Sequence, residues 1–515
     1  MKLAQKENIF LSCALPILIV ATCIPSQAQM TSVGVNCSEV AALGIDKQEN
    51  MRAGRVMIEC GLAPGGRPAV GPALPPVIPN VRVSNRTCTT AASCTKSENM
   101  IWGSTADGGK TLVDNYNDHS TGGYSGTSYS KNGGVTWKEI TPAPFSTAHG
   151  ANFGDPIVVF NAKLGKFFAG DLVSSSSGGC GGQGIGLWTS VNGIAWTVGS
   201  CPHVGSSDDR ESMWVDNEPT SGTYGRMYVS WNDFALGGAL SVTYSDDGLS
   251  WVPPVILNAS FIRNVQITGS PVGAARFEGT NSTVFVATMD EGGGGLNTRQ
   301  NVMYKSLDGG ATWTSFIMGA RFSPPGSVSC GYFEAVAPIW RHMGWGQPAV
   351  GPNGVVHYAY AGAGSNGDTG DIFYVQSADN GVTWSAPIQL NTDVDNPFHT
   401  QWMPSVSADA TGKVTATWYD RRKATSACSV ATNPGCRYEE VGRISLNNGA
   451  LFGAEVTISS ALIPQPQQTD PGVQACYAGD YDYDTNLGGN AYVTWTDGRR
   501  TVGGIHVQDV EFAKQ

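Results

Sequence analysis

The segment Ser306-Leu-Asp308-Gly-Gly310-Ala-Thr312-Trp313 decides the fold, because the chain repeats it in full or shortened form. Successive copies begin 55 to 71 residues apart. A period of this length suits one four-stranded blade of a β-propeller with generous loops. The sequence therefore predicts an all-β propeller. The other five copies begin at Ser130, Ser190, Ser245, Ser377 and Ser445.

Each copy has the composition of a tight hairpin turn. The side-chain oxygen of an Asp or Asn can accept hydrogen bonds from the N–H groups of the turn, and glycine supplies the positive φ that the turn needs. The tryptophan that follows is expected to begin the outer strand and to pack between blades. We therefore expect a structural role for the Asp or Asn of each copy. These residues are Asn132, Asn192, Asp247, Asp308, Asp379 and Asn447.

The repeated unit resembles the Asp-box of the bacterial neuraminidase repeat, S-x-D-x-G-x-T-W, which occurs in sialidases and other propellers. The resemblance covers about residues 98–512. It implies an Asp-box β-propeller whose repeated turns lie on the face away from the substrate. The chain departs from sialidases in lacking a Phe/Tyr-Arg-Ile-Pro motif. The nearest string, Phe261-Ile262-Arg263-Asn264, lies in the middle of the chain and has no proline.

A second pattern bears on the number of blades: an apolar strand ending in an acidic residue recurs along the chain. An equivalent strand near Val355 ends without an acid. Seven such strands against six turns predict seven blades, with the six blades of sialidases as the alternative. The last unit lacks a fourth strand, which Val81-Arg-Val83 could supply by closing the ring. The six acids are Asp118, Asp171, Asp233, Asp290, Asp420 and Asp497.

The first residues have the pattern of a secretory signal peptide, which we assign to residues 1–28. Lys2 and Lys6 precede an apolar run, and Ser26-Gln27-Ala28 offers small residues for cleavage. The run is too short and too interrupted by proline for a good membrane span. We expect a secreted or periplasmic protein. A lipoprotein acylated at Cys23 is the weaker alternative, because a threonine precedes that cysteine.

Residues 29–61 are predicted to form a small disulfide-tied helical segment. Asp46 and Glu49 have the spacing of a helix capping box, and Gly61 stands where a C-terminal helix glycine belongs. Residues 62–80 contain six prolines and are predicted to be a Pro/Gly-rich linker. The propeller is then expected over residues 81–515.

Ten cysteines follow the signal peptide, an even number that suits disulfide bonds in an oxidising compartment. Short separations favour four pairs, which leaves two cysteines for a fifth, although sequence alone does not prove the connectivity. The pairs are Cys37–Cys60, Cys88–Cys94, Cys180–Cys201, Cys428–Cys436 and Cys330–Cys476.

The formal charge of −11 argues against nucleic acid or an anionic membrane surface as the partner. Only 14% of the residues are charged, and 14 are tryptophan, so the chain can bury a core. We expect a monomer without an integral membrane span that acts on or binds an extracellular glycan or glycoprotein. No cofactor is expected to be required, apart from a structural Ca²⁺.

The face opposite the repeated turns is where we expect the chemistry. Strand ends bring carboxylates, arginines, a tyrosine and tryptophans to it. Arginine forks can bind the carboxylate of a sugar acid, paired acids can transfer protons, and tryptophan can stack on sugar rings. The candidates are Asp155, Arg210, Glu211, Trp345, Trp402, Arg421, Tyr481 and Arg499.

The resemblance to sialidases implies a role for most of these residues. Such enzymes use a tyrosine nucleophile that a nearby glutamate activates, an aspartate as acid and base, and three arginines that bind the substrate carboxylate. The corresponding residues would be Tyr481 as nucleophile, Glu211 as its partner, Asp155 as the acid, and Arg210, Arg421 and Arg499 as the arginine triad. Trp345 and Trp402 would contact the substrate.

Two other functions stay open at this point. One is a non-catalytic carbohydrate- or protein-binding propeller. The other is a lyase acting on uronic-acid polysaccharide, with His399 or His342 as the base.

Asp480, Asp482 and Asp484 alternate along the chain, so on a strand their carboxylates share a face. Carboxylates held close together repel one another unless a cation lies between them, and Ca²⁺ with its oxygen ligands is the expected cation. By contrast, the histidines, His203 among them, show no spacing of the HExxH kind, so catalytic zinc is not expected.

Overall fold

The computed structural model describes residues 29–66, 80–84, 88–121, 123–140, 149, 151–174, 180–270, 279–336, 340–341, 344–428 and 436–515. The predicted signal peptide, Cys23, His342 and most of the predicted linker lie outside these residues.

The described chain is a seven-bladed β-propeller, as predicted. Each blade is an antiparallel sheet of four strands, and the first strands of neighbouring blades pack against one another around the axis. Blade 1 contains the strands Lys96–Gly103, Leu112–Asp118, Ser125–Ser130 and Lys138–Glu139, and blade 2 contains Asn152–Asn161, Lys166–Val173, Gly184–Ser190 and Thr197–Val198. Blade 3 contains Asp208–Val215, Met227–Asp233, Ala239–Ser245 and Val255–Asn258, and blade 4 contains Arg263–Gly269, Val284–Asp290, Gln300–Ser306 and Thr314–Ile317. Blade 5 contains Gln347–Val350, Val356–Gly362, Asp371–Ser377 and Ile388–Gln389, and blade 6 contains Gln401–Ala408, Val414–Asp420, Glu439–Ser445 and Val456–Thr457. Blade 7 contains Thr485–Leu487, Asn490–Asp497, Asp509–Lys514 and Val81–Arg82.

The two ends of the domain close the ring together. Val81 lies opposite Phe512, so the N-terminal strand becomes the outermost strand of blade 7, as predicted. The short strand Asp482–Tyr483 pairs in parallel with the first strand of blade 1. Blade 7 therefore combines sequence from both ends of the domain.

The six repeated turns share one hydrogen-bond pattern. In the turn at residues 306–313, the Ser306 hydroxyl donates to Asp308 Oδ1 over 2.9 Å and accepts the N–H of Gly310 over 2.8 Å. Asp308 Oδ1 also accepts the N–H of Thr312 over 2.9 Å. The equivalent serine donates to the Asp or Asn in the other five turns. These side chains hold the turn in shape, as expected of a structural role.

The N-terminal segment contains one α-helix, Met51–Glu59. The predicted capping box is wrong, because Asn50 caps this helix by accepting the N–H of Ala53 over 2.8 Å. Gly61, with φ 70°, ends the helix as predicted. The remaining short elements are the 3₁₀ helices Cys37–Glu39, Ile45–Lys47, Ala91–Ser93, Thr105–Asp107, His119–Thr121, Phe234–Leu236 and Pro352–Gly354, and the hairpins Val328–Cys330 with Phe333–Ala335 and Thr501–Val502 with Ile505–His506.

Five disulfide bonds connect the described residues, with Cα–Cα distances of 4.7 to 6.5 Å. Four are the pairs that short separations favour, and the fifth joins the two cysteines that then remain. Cys37–Cys60 ties the N-terminal segment to itself, and Cys330–Cys476 joins residues 146 positions apart.

Candidate active site

Five first strands carry a β-bulge near their beginning. In each, one residue other than glycine has a positive φ, between 49° and 62°. Such a backbone conformation costs on the order of 1 kcal/mol or more and is concentrated at functional sites. The five residues are Glu98, Asp155, Arg210, Asn264 and Met403, and all are buried.

The bulges lie at the end of the propeller opposite the repeated turns. In blade 3 the bulge follows Asp208, which pairs with Asp233 at the end of the second strand. Ser245, where the repeated turn begins, pairs instead with Met227 at the start of that strand. The bulged residues therefore lie on the face where we expect the chemistry.

Three arginines converge on Glu49 of the N-terminal segment. Arg263 Nε donates to Glu49 Oε1 over 3.0 Å, and Arg210 Nε lies 3.7 Å from Oε2. Arg341 donates to the backbone oxygen of Glu49 and forms an ion pair of 3.0 Å with Asp480. All three arginines are buried. Burial raises the pKa of Glu49 to about 8, in spite of the opposing effect of Arg263.

Arg210 is the only member of the predicted arginine triad in this cluster. Arg421 lies over the ring of Trp402, 5.0 Å from its centroid, and donates to Gln465 over 2.9 Å. Burial lowers the pKa of Arg421 to about 9. Arg499 forms an ion pair of 2.7 Å with Asp497. These partners lie in or beside blades 6 and 7, whereas Arg210 is in blade 3.

Sequence reasoning did not include Arg263 and Arg341 among the candidate site residues. Arg263 belongs to Phe261-Ile262-Arg263-Asn264, the string nearest to the sialidase arginine motif, so a signal for it existed in the sequence. Arg341 follows the hairpin after blade 4, and no local pattern marks it.

Tyr481, the predicted nucleophile, lies against Arg210 of this cluster. The guanidinium of Arg210 is 4.0 Å from the centroid of its ring. The Tyr481 hydroxyl is buried without a hydrogen-bond partner among the described residues. Burial and the neighbouring charges of Glu98 and Asp155 raise the pKa of Tyr481. The glutamate that acts most strongly on this tyrosine is thus Glu98, not Glu211.

Asp155 and Glu211 are acids without full hydrogen bonding. Asp155 Oδ2 accepts the N–H of Arg210 over 2.9 Å, while its Oδ1 and both oxygens of Glu211 lack partners in the described part of the chain. Burial raises the pKa of each well above its ordinary value, and further acids add to this effect. This direction favours the neutral form of each acid, and a neutral carboxylic acid can donate a proton.

The two predicted substrate-binding tryptophans occupy different places. Trp345 lies at the arginine cluster, with Arg210 4.7 Å from its ring, and its Nε1 donates to Glu291 over 2.9 Å. Trp402 is fully buried and packs against Trp340, with ring centroids 5.4 Å apart. Trp402 is therefore part of the core between blades 6 and 7.

The three aspartates proposed for Ca²⁺ take separate partners. Asp480 pairs with Arg341, Asp482 accepts from Tyr419, and Asp484 accepts from Thr417 over 2.7 Å. Their Ca²⁺ site stays a prediction.

The N-terminal segment covers the arginine cluster. Asn50 Nδ2 donates to Asp209 over 2.6 Å, Gln48 donates to Ser207 over 2.7 Å, and Arg52 donates to Gln183 over 2.6 Å. Asp209 in turn forms an ion pair with Arg263 over 2.8 Å. The segment is thus attached to the same strands that carry the arginines, and it closes the site from solvent.

A cavity of about 350 Å³ opens at the other end of the axis. Its lining comes from the last residues of the first strands, including Trp102, Trp214 and Val350. Neither Arg210 nor Tyr481 lines this cavity. Within the described residues, no helix is long and apolar enough to cross a membrane.

No protein-family model matches the chain, and no curated protein is significantly similar to it. Among solved structures, a protein of unknown function from Dyadobacter fermentans is 12% identical, with a TM-score of 0.40 over 85% of this chain and 97% of that one. An intramolecular trans-sialidase from Ruminococcus gnavus is 14% identical, with a TM-score of 0.37 over 82% and 95%. An ulvan lyase is 10% identical, with a TM-score of 0.44 over 83% and 95%. Likenesses this weak carry no information about the substrate.

Proposed function

We propose that the protein is an exported glycoside hydrolase that removes a carboxylated sugar from an extracellular glycan. The observation that carries the proposal is the convergence of Arg210, Arg263 and Arg341 on Glu49 beside Tyr481. Guanidinium groups bind carboxylates strongly when both are removed from water. The five disulfides suit an oxidising compartment, which agrees with the predicted export.

The side chains around this point suit a double displacement. The Tyr481 oxygen would attack the anomeric carbon as Glu98 takes the phenol proton, and Asp155 would protonate the departing glycosidic oxygen. Water would then cleave the bond between tyrosine and sugar. In that step Asp155 takes a proton from the water, and Glu98 returns the proton to Tyr481.

In this structure Glu49 occupies the place that the proposal gives to the substrate carboxylate. The N-terminal segment must therefore move before a glycan can enter. We infer that the described conformation is a closed form of the enzyme, with Glu49 as an internal substitute for the substrate acid.

The test compares wild type with Glu49→Ala, and with Glu49→Gln in case the alanine variant does not fold. Sugar release is measured from sialylated, uronic-acid-containing and neutral oligosaccharides. We expect the Glu49 variants to release the carboxylated sugar faster than wild type and to leave neutral substrates intact. Adding Tyr481→Phe to a Glu49 variant should lower turnover by at least about 1,000-fold while binding persists.

Tyr304→Phe in the same background is the matched control, because its hydroxyl accepts a hydrogen bond from Asn258 in the outermost strand of blade 3. Its turnover should not change. A folded Glu49 variant that binds carboxylated sugars without releasing any would overturn the hydrolase and leave a binding propeller. No binding at all would show that the arginine cluster is structural.

Of the two histidines named as the base of a lyase, His399 lies within the described residues. His399 Nδ1 donates to the backbone oxygen of Val394 over 3.1 Å and lies 3.3 Å from Asp393 Oδ2, in the loop that precedes blade 6. These contacts place it outside the arginine cluster.

A further inference from the structure

Two carboxylates face each other where blade 3 begins. Asp208 and Asp233 are directly opposite in the register of the first two strands. Asp208 is fully buried, and Asp233 is only 7% exposed. In the described residues, Oδ1 of each has no hydrogen-bond partner. Opposed like charges on neighbouring strands are destabilising, and burial makes the repulsion stronger.

Blades 1 and 7 place a cation beside the equivalent aspartate. In blade 1, Asp118 lies opposite Lys96, with 4.0 Å between Oδ2 and Nζ. In blade 7, Asp497 pairs with Arg499 over 2.7 Å. Blade 3 has Asp208 at the position that Lys96 holds in blade 1. Blade 3 therefore has a second acid where blade 1 has a cation, and the basic group beside this acid pair is the imidazole of His203.

His203 completes this cluster. Its Nδ1 lies 2.6 Å from Asp208 Oδ2, and one ligand atom from each of His203, Asp208 and Asp233 lies within 4.8 Å of the other two. The imidazole stacks on Trp231, with ring centroids 4.6 Å apart. Its side chain is 20% exposed, so solvent and ions reach the cluster from this side.

The loop that carries His203 is fixed on both sides. The Cys180–Cys201 disulfide lies two residues before His203, whose backbone oxygen accepts the N–H of Ile185 over 3.1 Å. Gly205 packs against the Asp208 carboxylate so closely that an added Cβ would come within 2.4 Å of an oxygen. The three side chains are thus held together by the backbone, which favours ion binding over rearrangement.

We propose that His203, Asp208 and Asp233 bind a divalent transition-metal ion such as Zn²⁺ or Mn²⁺. One imidazole nitrogen with two carboxylate oxygens suits these ions, whereas Ca²⁺ prefers six or more oxygen ligands. Ligand atoms around a tetrahedral Zn²⁺ lie roughly 3.4 Å apart, so the cluster needs only small adjustments. Water completes the coordination on the exposed side of His203.

The ion would support the bulge that presents the arginine site. Asp208, Asp209 and Arg210 are consecutive, and Asp209 holds Arg263 through an ion pair of 2.8 Å. Neutralising the two acids fixes the beginning of this strand. The proposal does not depend on any hydrolase activity.

The test is metal binding by the full chain after treatment with EDTA and dialysis. Isothermal titration with Zn²⁺, Mn²⁺ and Ca²⁺ should show one saturable site that prefers the transition metals. Asp233→Asn and His203→Gln should each weaken Zn²⁺ binding by at least 100-fold. His149→Gln is the matched control, because this imidazole lies at the same disulfide but its sulfur neighbours are oxidised and cannot act as thiolate ligands.

A second measurement separates lost binding from lost folding. In EDTA, Asp233→Asn should melt at or above the wild-type temperature, because the substitution removes the repulsion with Asp208. Added Zn²⁺ should then raise the melting temperature of wild type and of His149→Gln, but not of Asp233→Asn. Absence of saturable binding to wild type, or equal binding by the His203 and His149 variants, would overturn the proposal.

Discussion

Glu49 of the N-terminal segment and Arg263 of blade 4 form a buried ion pair, although 214 residues separate them in the chain. The Glu49 side chain is 2% exposed, and that of Arg263 is fully buried. This pair connects the small helical segment to the centre of the propeller, at the end where the strand bulges lie.

Glu49→Ala should lower the free energy of unfolding by about 3 kcal/mol, because removing one partner of a buried ion pair leaves the other charge uncompensated. Chemical denaturation followed by tryptophan fluorescence measures the change. Glu39→Ala is the control in the same segment: its side chain is exposed, and the substitution should change stability by less than about 0.5 kcal/mol. Equal effects of the two substitutions would show that the ion pair does not hold the segment in place.

The protein should be more stable in mildly acidic than in alkaline solution. Burial raises the pKa of Asp484 to about 7. A carboxyl group with a raised pKa in the folded state stabilises the fold below its unfolded pKa and loses this contribution as pH rises through the folded value. The melting temperature should therefore fall between pH 5 and pH 8.5, and Asp484→Asn should make that fall smaller. A melting temperature that rises over this range would contradict the assignment.

The fold could be read from the sequence because its signals are local. The turn at Ser306 and its five copies gave the period. The missing fourth strand of the last unit predicted that residues 81–83 close the ring, and in the structure Val81 lies opposite Phe512. Each signal lies within one hairpin or one strand, where hydrogen bonds between near neighbours determine the structure.

The site could be predicted only in part, because its members come from distant segments. Asp155, Arg210 and Tyr481 could be named as candidates because they lie in or near the entries of first strands, whose places in a propeller follow from the repeat. Glu49 was expected to cap a helix, because its spacing from Asp46 fits that role. Its actual partner is 214 residues away, and no local pattern encodes such a contact.

Phe512→Ala should lower the free energy of unfolding by about 3 to 5 kcal/mol, because it removes a large side chain that is only 3% exposed where the ring closes. Phe512 packs against Trp137 of blade 1, with ring centroids 5.3 Å apart, and its strand pairs with Val81. Thermal unfolding measures the loss. Phe398→Ala is a control, because this phenylalanine is 37% exposed and should contribute far less.

Asp379→Asn should leave the free energy of unfolding near neutral pH almost unchanged, whereas Asp379→Ala should lower it by about 1 kcal/mol. Asparagine can still accept the hydrogen bonds of the turn, as Asn132 does in the first copy. In the wild type, burial acts to raise the pKa of Asp379, but hydrogen bonds from Thr383 and Ser377 lower it to about 2. A depressed pKa stabilises the fold above the unfolded value of about 4, and this contribution is lost as pH falls towards 2. The asparagine variant should therefore lose less stability than wild type between pH 4 and pH 2, as followed by melting temperature. If both substitutions behave alike at pH 7, the side-chain oxygen does not stabilise the turn.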